Sequence, residues 1–129
     1  MKYKFKAYHL ISPSIYLVIA YLCLTNRNFQ SPVDIQFIGV DKLVHSALYF
    51  LLTAGTLLEL VKMKMYTRIY LTFFWAFFVP VLFGGFIELA QHYLVQGRTG
   101  DWLDFAANVT GVVMAYLSFR LISSRLSSK

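Results

Sequence analysis

Four mostly apolar stretches, each long enough to cross a bilayer as a helix, leave this chain few folds to choose from. Inside hydrocarbon every backbone N–H and C=O must be satisfied within the protein, so a run of about 20 apolar residues forms a helix there. The runs cover residues 8–25, 41–61, 67–94 and 101–122, each boundary approximate. In a chain of 129 residues that is 58% hydrophobic, they predict one domain over residues 1–129: an all-α integral membrane four-helix bundle.

The charges set the expected topology. Lys2, Lys4, Lys6, Lys62, Lys64, Arg68, Arg120, Arg125 and Lys129 fall at one predicted side, and Asp34, Asp41, Glu88, Asp101 and Asp104 at the other. The positive-inside rule then places both N and C termini in the cytoplasm and the acidic side outside. The net charge of +6 sits at segment ends rather than along one helical stripe, which argues against nucleic acid as a partner. Lys2, Lys4 and Lys6 before a short apolar core also fit a signal peptide. Thr25-Asn26-Arg27-Asn28 after Leu24 supplies no small-x-small cleavage site, so the first helix is expected to be retained. Cys23 is the only cysteine and excludes an internal disulfide or a thiolate metal site.

Local signals place the joints. Residues 26–40 are polar, with Pro32 and Gly39, and read as an external connection; Asp41 is a suitable start for the second helix. Pro80 is expected to break the third helix near its middle and Gly84-Gly85 near its far end. Gly97 and Gly100 flank a tight turn, and Asp101-x2-Asp104 after it resembles a capped helix start. Ala107, Gly111 and Ala115 repeat every four residues and would let the fourth helix approach a neighbour closely.

Ionisable groups at a membrane boundary are costly, and here they gather on three helix ends. Asp41 and His45 share one side of the second helix, Glu88, Gln91 and His92 one side of the third, and Asp101, Asp104 and Asn108 one stripe of the fourth. Converging in one pocket, His45 and Glu88 would transfer protons, Arg98 would hold an anionic group, and Asp41, Gln91, Asp104 and Asn108 would bind and orient the ligand. The bland reading is a structural ion-pair network that fixes helix packing. The spacings Asp41 to His45 and Glu88 to His92 suit metal ligands, but two-residue patterns are weak; no metal and no cofactor is expected. No Ser or Cys nucleophile completes a triad, because Ser46 and His45 point about 100 degrees apart on a helix. Tyr49 and Thr53 extend the His45 face inward and are candidates for bonds across helices. Glu59, alone on the inner side, is expected to pair with Lys62. The Phe-rich run from Phe73 to Phe86 reads as lipid-facing or packing surface, with Trp102 and Tyr93 as interfacial anchors.

The order Asp41-Lys42-x2-His45, Glu88-x2-Gln91 and Gly97-Arg98-x2-Asp101-x2-Asp104-x3-Asn108-x2-Gly111 resembles the VanZ-like family of small bacterial membrane proteins. The resemblance spans three of the four helices and matches that family's signature at Asp41, His45, Glu88, Gln91, Arg98, Asp104 and Asn108. It implies a four-helix membrane protein with a link to teicoplanin susceptibility, and no settled activity. Two function classes stay open: an enzyme modifying an envelope lipid or lipid-linked cell-wall precursor, and a non-catalytic binding protein or scaffold that could form a homo-oligomer. A proton-coupled carrier ranks behind both, because the inner half of the bundle reads as nearly all apolar.

Overall fold

The computed structural model describes residues 6–25, 38–95 and 101–127, and among these the chain is helical with no strand. A 3-10 turn, Ala7–Leu10, leads into α1, Ile11–Leu24. Helix α2 is Ile38–Lys62, α3 is Ile69–Leu94 and α4 is Trp102–Ser127. All four are long and apolar enough to cross a membrane, counting the first from Ala7, and they point to a multi-pass membrane protein. The expected connection from Asn26 falls mostly on residues 26–37, and the Gly-flanked turn with Arg98 on residues 96–100; both lie outside the described residues.

Local chemistry explains where the helices begin. Pro13 sits in the first turn of α1, where a missing N–H costs no helical bond. Helix α2 starts at Ile38, earlier than expected, so Asp41 lies in the first turn rather than before it and still faces the positive end of the helix dipole. Asp101 caps α4 as its spacing predicts. Its Oδ1 accepts the Leu103 N–H at 2.8 Å, and its carbonyl accepts the Asp104 and Phe105 N–H groups.

Neither Pro80 nor Gly84-Gly85 breaks α3. One wide π turn, Phe74–Phe78, precedes Pro80 and absorbs the ring, so the helix continues. The two glycines serve packing instead. A Cβ at Gly84 would lie 3.2 Å from the Tyr49 ring, so the absence of a side chain lets Tyr49 of α2 lie against α3.

The helices alternate in direction, and α2 and α4 share the longest interface. Lipid tails are as apolar as Leu, so close van der Waals contact must hold the helices together. Gly111 provides it: a Cβ there would stand 2.1 Å from the Ser46 carbonyl oxygen and 2.9 Å from the Phe50 nitrogen, so the two backbones touch. Val112 and Ala115 beside it are buried, with Tyr49, Leu52, Ile87 and Ile19 completing the core. Of the aromatic run on α3, Phe77 stacks on Phe73 and meets Tyr116 edge-on, and Phe83 meets Tyr16. Phe74, Trp75, Phe78 and Phe86 face outward, as a lipid-contacting surface requires.

Candidate functional site

The start of α2, the end of α3 and the start of α4 meet at one end of the bundle, and their polar side chains form one connected cluster. Lys42 lies at its rim, donating to Asp104 Oδ1 at 2.8 Å and Asp101 Oδ2 at 3.1 Å. His45, one turn deeper, is buried, and its Nδ1 is 3.1 Å from Asn108 Oδ1. Asn108 Nδ2 donates to Glu88 Oε1 at 3.4 Å, and the Asp101 backbone N–H donates to Glu88 Oε2 at 3.3 Å. That turns the amide oxygen, which can only accept, toward the imidazole, and in this arrangement Nδ1 is the donor. A hydrogen-bonded line thus runs from the imidazole through Asn108 to a buried carboxylate.

The other imidazole nitrogen, Nε2, faces Asp41 Oδ1 and Asp104 Oδ2, each 3.8 Å away. Those three atoms lie within 4.8 Å of one another and form the one group among the described residues with the makings of a metal centre. Among the described residues the cluster is acidic, with carboxyl groups on Asp41, Glu88, Asp101 and Asp104 against the Lys42 ammonium. At its exposed edge, the Leu103 amide and then Lys42 hold the Asp101 carboxyl below the usual carboxylate range.

Beside the cluster, between α3 and α4, opens a cleft of about 630 Å³. Val81, Leu82, Phe86, Leu89 and Phe105 form an apolar wall, while Glu88, His92 and Asp101 lie at its polar part. Trp102 and Tyr93 border it too.

Of the residues singled out by spacing, Asp41, His45, Glu88, Asp104 and Asn108 come together, and Arg98 lies outside the described residues. Gln91 does not join them: it is buried and donates to the Cys23 carbonyl at 3.0 Å, tying the end of α1 to α3. Lys42 was missed as a site residue, although it belongs to the motif and is the cation nearest Asp41 in sequence.

The opposite end corrects a second expectation. Glu59 turns inward rather than toward Lys62, and its Oε1 accepts the Ser12 N–H at 2.9 Å while Oε2 accepts the Ser12 hydroxyl. A carboxylate on α2 thereby caps the start of α1, satisfying a helix-terminal amide that lipid cannot. Tyr16, Tyr49 and Thr53 lie inside the bundle, and their hydroxyls have no hydrogen-bond partner among the described residues. Tyr49 and Thr53 therefore make no bond across helices, and the interior is less apolar than the sequence suggests. No protein-family model, curated protein or solved structure matches the chain.

Proposed function

We propose that this chain is a VanZ-like protein of the bacterial inner membrane, with both termini cytoplasmic and the polar cluster facing outward, that binds an amphipathic lipid or lipid-linked precursor of the cell envelope. The observation that carries the reading is the continuity of the apolar cleft with Glu88 and Asp101 at its polar part. An acyl or polyprenyl chain would lie along Leu82, Phe86 and Leu89, and its headgroup would meet the line from Glu88 through Asn108 to His45. Arg98, three residues before Asp101, is retained as the anion-binding group on sequence position alone. The basic residues at the other predicted side support the orientation. A role for His45 and Glu88 in proton transfer at the headgroup follows from their shared bond network.

The test is a photoactivatable lipid-linked pyrophosphate incorporated with the purified protein in nanodiscs. Labelling should map to peptides carrying residues of the cleft and should fall at least tenfold when Gly85→Trp fills it. Equal labelling of the wild type and the filled variant would contradict the reading. A scaffold role draws support from Lys42 held between Asp101 and Asp104, which ties α2 to α4. In that case Glu88→Gln, which keeps the hydrogen bonds, would leave function intact while the protein still accumulates in the membrane. The link to teicoplanin susceptibility rests on the motif resemblance alone, and comparing inhibitory concentrations with and without the gene tests it directly.

A further inference from the structure

We propose that Asp41 Oδ1, His45 Nε2 and Asp104 Oδ2 together bind one divalent first-row transition-metal ion, of the zinc class, at the aqueous rim of the cluster. The inference stands apart from the lipid reading, because it concerns the other side of His45 from the Asn108 to Glu88 line.

Three observations converge. First, the His45 side chain is only 7% exposed, and among the described residues its Nε2 has no hydrogen bond, its nearest partners being the two carboxylate oxygens at 3.8 Å. Nε2 is equidistant from both. Two ligands of a tetrahedral ion with bonds of about 2.1 Å stand about 3.4 Å apart, so the two N···O separations would contract by a few tenths of an ångström and the two carboxylate oxygens, within 4.8 Å of each other, by up to about 1.4 Å to seat the ion.

Second, the neighbours already orient the ligands. Asn108 holds Nδ1–H and so presents a bare Nε2 lone pair outward, as the outer partner of a metal-bound histidine does. Lys42 takes Asp104 Oδ1 and leaves Oδ2 turned to His45, so the ammonium and the ion would not compete for one oxygen. Third, among the described residues Asp41, Glu88, Asp101 and Asp104 surround the one ammonium of Lys42, and a dication would offset that surplus of acidic groups.

The donor set selects the class of ion. Calcium and magnesium prefer shells built of oxygen alone, whereas one imidazole with two carboxylates suits zinc, cobalt or manganese. Three protein ligands leave a fourth position open, as in catalytic zinc sites. Asp41, 59% exposed, places that position toward water.

The experiment titrates tag-free, metal-stripped protein in detergent with Co²⁺ and follows the visible d–d bands, then displaces Co²⁺ with Zn²⁺. One equivalent should produce the intense bands of a four- or five-coordinate site, and Zn²⁺ should abolish them. Asp41→Asn changes an exposed side chain and keeps the fold, and it should weaken Co²⁺ binding at least tenfold. Asn108→Ala should weaken it about 10- to 100-fold by releasing the imidazole. A spectrum that stays that of the hydrated ion at one equivalent would overturn the proposal, as would Co²⁺ binding by His45→Gln or Asp41→Asn equal to that of the wild type.

Discussion

Replacing Gly111 by Ala adds a single methyl group at the point where α4 touches the backbone of α2. The new Cβ would stand 2.1 Å from the Ser46 carbonyl oxygen. A relaxed C···O approach is about 3.3–3.6 Å, so α4 must retreat by roughly 1 Å. Against this, Ala gains about 1 kcal/mol over Gly in helix propensity. The retreat costs more. Overpacking a tight contact costs about 1–3 kcal/mol and sometimes more, and a gap of 0.5–1 Å forfeits about a quarter to a half of the dispersion well at Val112, Ala115 and Tyr49. A net loss of about 2 kcal/mol is expected. Asn108 lies one turn from Gly111 on α4, so the same retreat would stretch its 3.1 Å bond to His45. Gly85→Ala is the control, since its Cβ would meet Phe105 at an ordinary 3.5 Å. Unfolding in mixed micelles titrated with dodecyl sulfate gives both numbers. If Gly111→Ala proves as stable as Gly85→Ala, the account of the α2 to α4 contact is wrong.

Other outcomes follow from particular contacts. Glu59→Leu leaves the buried Ser12 N–H without its acceptor and should cost about 1–3 kcal/mol in the same titration, while Ser12→Ala, which removes only the hydroxyl donor, should cost about 1 kcal/mol. Gln91→Leu should loosen α1 from α3 by about 1 kcal/mol yet leave photoaffinity labelling of the cleft unchanged, because Gln91 points to Cys23. Asp101 has a folded pKa below its unfolded one, so its contribution is present above the unfolded value near about 4 and fades as pH falls through the lower folded value. Melting curves of wild type and Asp101→Asn should therefore differ by a constant offset between pH 5 and 8 and converge only in stronger acid.

The sequence made the four helices and most of the cluster legible, because both depend on regular periods. Apolar length alone finds spans, and spacings of three, four and seven put Asp41 with His45, and Asp101 with Asp104 and Asn108, on shared faces. What escaped depended on reach or on partners far along the chain. Lys42 starts about 100 degrees from Asp41, but its long stem reaches Asp101 and Asp104 on another helix. Gln91 sits about 60 degrees off Glu88, enough to turn it to α1 instead. Glu59 had an obvious local partner in Lys62 and took Ser12, 47 residues away, because a buried helix start needs an acceptor more than an exposed ammonium does. The π turn before Pro80 has no pattern of its own in the sequence.

The central claim is that the ends of α2, α3 and α4 form one polar site on the outer face of the membrane. Its most direct test uses Cys23→Ser protein carrying Lys42→Cys with Asp104→Cys, treated in intact cells with a short, membrane-impermeant thiol-bridging reagent. The account predicts linked peptides between the two positions, and none when Lys42→Cys is paired with Arg120→Cys at the far end of α4. Failure of the first pair to link, or linkage only after the inner face is exposed, would contradict it.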